Sequence, residues 1–168
     1  KWLRKGGAVD AFYSSTTTDG QAATTTLLHA AAANDHLAMV RELLKRGASV
    51  DLPTSLGDTP LMNAAGNGHL PIVLLLLQHS ANPDLQDNGG YTALMQAAHP
   101  GYEACVKALL RAKANTELLN EHGRTALHWA ENQGHTATAA LIRQHTEPPP
   151  PAAAVAPQAT HAEQAAQA

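Results

Sequence analysis

Four segments of this chain carry the same pattern, Thr-x-Leu-x, at a constant step. They are Thr26-Leu27-Leu28-His29, Thr59-Pro60-Leu61-Met62, Thr92-Ala93-Leu94-Met95 and Thr125-Ala126-Leu127-His128, spaced by 33 residues throughout. Alanines follow in phase at Ala31, Ala64, Ala97 and Ala130, and Gly57, Gly90 and Gly123 keep the same step. A fixed period of this length predicts a stacked solenoid rather than a globular enzyme.

The residues inside one period support helices and turns at defined places. In the second copy Thr59 is placed to cap a helix, and Pro60 follows at N1, where its missing N–H costs nothing. Leu61, Ala64 and Ala65 come at helical spacing and give a narrow face of small residues, which lets neighbouring helices approach closely. Asn67-Gly68-His69 ends that helix. A second helix is predicted from about Leu70 to Gln78, with Val73, Leu76 and Leu77 inward. The stretch from Asn82 to Tyr91 is rich in Asn, Asp, Gly and Pro and reads as a projecting turn or hairpin.

Thr-Pro-Leu-x-x-Ala-Ala, then Gly-His, then Ile-Val-x-x-Leu-Leu, then Ala-Asn-x-Asp resembles the ankyrin repeat along its whole length. The resemblance divides the chain into copies at 24–56, 57–89 and 90–122 and a C-terminal capping copy at 123–146. Leu3 to Asp10 parallel Leu44 to Asp51, so residues 1–10 read as the end of a preceding copy. Their offset of 41 rather than 33 implies eight extra residues within 11–23, a Ser/Thr-rich loop insertion. In the fourth copy Ala139 and Arg143 replace the aliphatic Val73 and Leu77, as expected of a cap with a polar outer face. Residues 147–168 are Pro-rich and then Ala/Gln-rich, and read as a disordered tail, either a plain linker or a polyproline II ligand. The resemblance implies an all-α solenoid of stacked helix-turn-helix units with projecting β-turn or hairpin loops.

Composition narrows the function classes. Aromatics make up only 4% of the chain, which suits thin layers of small helices better than one large aromatic core. A net charge of −3 gives no electrostatic case for nucleic acid. The longest purely apolar stretch, Ile72 to Leu77, is too short to span a membrane. The single cysteine, Cys105, excludes an intrachain disulfide and is compatible with an intracellular compartment, cytoplasmic or nuclear. It falls in the slot of Met39 and Ile72 and reads as a core residue. Neither an initiator methionine nor a signal peptide opens the chain, so localisation signals could have been cut away.

Ten histidines raise the question of metal, and the period answers it. His36, His69 and His135 share one phase, and His29 and His128 another. Residues one period apart lie on adjacent layers roughly 10 Å apart, already too far to share a zinc ion. The family resemblance implies a structural role for both slots, bonding turn backbones within and between copies. No metal or other cofactor is expected. Catalysis has no support either: the chain has no phosphate loop, no nucleophile elbow and no His-Glu-x-x-His.

Binding remains. In the ankyrin family the loop tips and the exposed face of each first helix line a concave groove in which protein partners dock. Carried onto this sequence, the tip positions include Leu56, Asp58, Tyr91 and Arg124, and the helix positions Asn63, Gln96, His99 and Trp129. Trp129 has two readings, a partner contact or a cover for the last stack. Tyr91 and Arg124, at tips with no core to fill, read as contacts. The expected function is a monomeric, non-catalytic scaffold or adaptor module. The alternative is a regulatory or targeting segment of a larger enzyme, channel or ubiquitin-ligase receptor whose working domain lies upstream.

Overall fold

The computed structural model describes residues 8–16 and 22–146. The expectations for residues 1–7, for the middle of the insertion at 17–21 and for the tail at 147–168 lie outside the described residues. Two short strands, β1 (Tyr13–Thr16) and β2 (Ala22–Thr25), precede the helices. The first helix of each copy is α1 (Leu27–Ala33), α3 (Pro60–Gly66), α5 (Ala93–Ala98) or α7 (Ala126–Asn132). The second is α2 (Leu37–Lys45), α4 (Leu70–Gln78), α6 (Glu103–Arg111) or α8 (Thr136–Thr146). First helices pack on first helices and second on second, so the chain is a two-layered helix-turn-helix solenoid. No helix among the described residues is long and apolar enough to cross a membrane.

The repeated threonine starts each first helix. Thr59, Thr92 and Thr125 accept the N3 backbone N–H through Oγ1 at 3.3, 3.2 and 3.3 Å. Thr26 instead bonds the ring of His29, whose Nδ1 lies 2.8 Å from its hydroxyl. The other ring nitrogen of His29 reaches the carbonyl of Asp58 in the next copy at 3.0 Å. One buried imidazole thus ties a helix cap to the neighbouring tip.

The core is made between copies. Leu28, Leu61 and Leu94 are fully buried, as are the alanines Ala31, Ala64, Ala97 and Ala130. In α4 the buried set is Ile72, Val73, Leu75 and Leu76, with Leu77 only half-buried and Leu74 exposed. The inward stripe therefore differs from the sequence reading. This helix is apolar on all sides, so packing against α2 and α6, not amphipathicity, chooses its buried face. Cys105 is buried in α6, and burial pushes its thiol up. On the last layer α8 buries only Thr138, Ala139 and Ile142, and Arg143 pairs with Glu131 of α7.

Hydrogen bonds one period long link the loops. The Asp51 carboxylate accepts the backbone N–H of Asn82, and Asp84 that of Asn115 at 2.7 Å, each across 31 residues. Asp10 makes the same link to Ser49 across 39 residues. The eight extra residues lie between the ends of that first link, on the stretch that includes β1 and β2. This segment, read from sequence as an enlarged loop, forms an antiparallel ladder from Tyr13↔Thr25 to Thr16↔Ala22. Its Tyr and Thr residues favour extended backbone, and Thr24 is further held by two bonds to Ser55. The ladder so continues a row of single backbone bonds between tips, Asn88 N–H to Leu56 C=O and Glu121 N–H to Gly89 C=O, each 3.0 Å. Gly57 and Gly90 make that close approach possible. A Cβ on either would lie 2.8–2.9 Å from the next tip.

Two outcomes are expected for stability. Lys113 sits at φ +62° where Gly47 occupies the same slot, a conformation costing a non-glycine residue about 1 kcal/mol. Lys113→Gly should raise the urea midpoint by an equivalent of roughly 0.5 kcal/mol once glycine's greater unfolded-state freedom is subtracted. A lower midpoint would contradict the strain at this position. Burial lowers the pKa of His29, against weaker upward pulls from the carbonyls of Asp58 and Leu52. The unfolded chain then binds a proton more readily than the folded one, so stability falls as pH drops below about 6.5. Thermal midpoints measured from about pH 7.5 to 5.5 should decline more steeply for the native chain than for His29→Gln.

Candidate interaction groove

The turns closing each tip set the direction of the residues that follow. Asp87 Oδ1 accepts the N–H groups of Gly89 and Tyr91 at 2.9 and 2.8 Å, and Asn120 Oδ1 those of His122 and Arg124 at 3.0 and 2.9 Å. Tyr91 and Arg124 are thereby held at phase-equivalent places on adjacent layers, immediately before α5 and α7. From α7, Trp129 lies against both. Its ring centroid is 5.8 Å from that of Tyr91, and the Arg124 guanidinium carbon stands 5.2 Å above it. His99, which follows α5, meets the indole edge-on at 5.0 Å. Gln133 steadies His99 through a 3.2 Å contact between side-chain nitrogens.

These side chains border a cavity of about 350 Å³ lined by Asp87, Tyr91, Met95, Gln96, His99 and Trp129. Four residues expected from the sequence, Tyr91, Gln96, His99 and Trp129, meet there, with Arg124 stacked on the indole. Leu56, Asp58 and Asn63 belong to the layer before and do not line it. The Leu56 side chain is exposed, but its carbonyl is taken by Asn88. Asp58 is half-buried, and its carbonyl accepts from His29. Asn63 is half-buried and gives its carbonyl to Asn67 at 2.8 Å.

Tyr91 departs from the sequence reading in one respect. It is half-buried and packs against the core beside Trp129, so its tip does have something to cover. Met95 and Asp87 went unnoticed in the sequence. Met95 shares the phase of His29 and Met62, and Asp87 that of Thr54 and Asn120, so both were absorbed into structural slots.

Burial pushes the Asp58 carboxyl up, and the charge of Asp87 adds to the rise while a Thr54 hydrogen bond offsets part of it. Of the histidines read as structural, His29, His69 and His135 bridge copies, while His128 bonds only Thr125 of its own turn and His36 is exposed. His69 reaches the Ala33 carbonyl and His135 the His99 carbonyl, each at 3.1 Å. Among the described residues no three His, Cys, Asp or Glu side chains gather as a metal site.

A family model described as ankyrin repeats, in three copies, matches residues 4–87 and again 79–149. The chain belongs to the ankyrin-repeat family. The model's unit of three copies is counted differently from the four in-register copies read here, but it covers the same stretch of chain. Ankyrin repeats are in general protein–protein interaction modules, typically without catalysis. No curated protein matches the chain.

Trp129 is half-buried, and its indole N–H is buried without an acceptor. Trp129→Ala should lower stability, by about 2 kcal/mol in a denaturant titration, because the loss of the last layer's aromatic cover outweighs the relief of removing an unpaired buried donor. No loss would mean that the indole is there only for contact.

Proposed function

We propose that this ankyrin segment is a non-catalytic docking module that holds a partner polypeptide in the groove between its tips and first helices. The observation that carries this reading is the convergence of Tyr91, Gln96, His99 and Trp129, from two layers, on one open cavity. Arg124 is stacked beside it and forms no ion pair among the described residues. Aromatic and arginine side chains at the centre of a concave surface are the residue types that dominate interface energetics. Stacking does not require the exposed Arg124 guanidinium, since Asp58 fills the same slot two layers earlier.

Arg124→Ala removes an exposed guanidinium and should weaken partner binding about thirtyfold, the loss of a hot spot worth roughly 2 kcal/mol, with the thermal melt nearly unchanged. Tyr91→Ala should weaken binding to a similar degree and lower the melt modestly, since its ring is partly covered. Lys45→Ala and Arg111→Ala, on exposed sites of the second helices, are the controls. Partner retention that survives both groove substitutions but is lost with either control would place docking on the opposite face.

A further inference from the structure

Thr54, Asp87 and Asn120 occupy one slot in three successive tips and do the same work with one oxygen. Thr54 Oγ1 accepts the N–H groups of Leu56 and Asp58, both at 3.2 Å. Asp87 and Asn120 accept their pairs at 2.8–3.0 Å. A neutral hydroxyl and a neutral amide therefore suffice to close this turn. The fold has no use for the negative charge at position 87.

That charge is also locally unfavourable. Among the described residues neither Asp87 nor Asp58 takes part in an ion pair, and the charge of Asp87 adds to the rise that burial gives the Asp58 carboxyl. A repulsive charge that the turn does not require, set in a cavity wall, calls for a counter-ion from outside. The rest of the wall narrows its chemistry. Tyr91 and Trp129 offer ring surface that attracts a cation and can cover an aliphatic stem, whereas Met95 is itself fully buried. Arg124 is not part of the wall, which leaves it for a carbonyl further along the same ligand.

We propose that the cavity receives the side chain of a lysine in an extended basic segment of the partner, with Asp87 as the counter-ion of its ammonium group. This deepens the docking reading above and rests on it. The cavity, at about 350 Å³, admits a side chain and not a folded element. The ammonium head meets the carboxylate, while the stem lies along the ring faces of Tyr91 and Trp129.

The test uses the intact chain, isotope-labelled for amide NMR, titrated with a capped nonapeptide of alternating alanine and serine bearing one central lysine. Two further peptides replace that lysine by norleucine, which keeps the four-carbon stem without the ammonium group, or by glutamate. The lysine peptide should shift the Trp129 indole and the Tyr91 and Gln96 amides saturably, and bind about tenfold more tightly than the norleucine peptide. Raising the salt should weaken the lysine peptide alone. Asp87→Asn keeps the turn oxygen, as Asn120 does. It should reduce lysine binding to the norleucine level, with the thermal midpoint unchanged or raised because the repulsion with Asp58 is gone.

Equal binding of the lysine and norleucine peptides, full lysine binding by Asp87→Asn, or no saturable shift at millimolar lysine peptide would overturn the inference. So would a lower midpoint in Asp87→Asn, since the charge would then serve the fold. Preference for the norleucine or glutamate peptide at the same amides would sink the lysine assignment and leave the docking reading standing. Failure of the docking reading is separate, and shows as partner retention by Tyr91→Ala and Arg124→Ala.

Discussion

A helix of six or seven residues with a narrow buried face cannot hold itself in water. Too few backbone bonds close to offset the entropy of fixing the first turn. Here α1, α3, α5 and α7 are all of that length, and each exists because the copy beside it completes its surroundings. Small side chains make this possible by bringing the helices close, and the hydrogen bonds of Asp51, Asp84, His29 and His69 to neighbouring copies set the spacing between layers. Everything else hangs from that stacking. It determines which face of the apolar α4 turns inward, and it sets Tyr91 of one layer against Trp129 of the next.

Stacking also separates structural from functional residues. A slot filled by one chemistry in every copy serves the stack, as Thr26, Thr59, Thr92 and Thr125 do. A slot that changes chemistry while its backbone geometry stays constant is free to serve something else. The positions holding Asp58, Tyr91 and Arg124 share a backbone and nothing more, and so do those of Asn63, Gln96 and Trp129. The charge of Asp87 belongs to the same category by a finer criterion, since its oxygen is structural and its charge is not.

The sequence made the solenoid, the helix starts and the four cavity-lining candidates legible, because each depends on local chemistry repeated at a constant step. It misjudged three things. The strands β1 and β2 escaped it because a Ser/Thr-rich insertion is extended only where the Thr24 bonds to Ser55 hold it. The inward stripe of α4 escaped it because a uniformly apolar helix carries no directional signal. Met95 and Asp87 escaped it because membership of a repeat slot hides what a particular side chain adds there.

Period, caps and turn chemistry are properties of short stretches of chain, and those the sequence determined by itself. It also determined which positions vary, and so which could carry recognition. Only the tertiary structure decided how those positions combine. The lining of one cavity by Asp87 and Trp129, the stacking of Arg124 on the indole and the effect of the Asp87 charge on Asp58 all depend on distances between layers. The register that aligns those layers is a packing outcome. It places side chains a full period apart within a few ångströms of each other, which spacing along the chain cannot express.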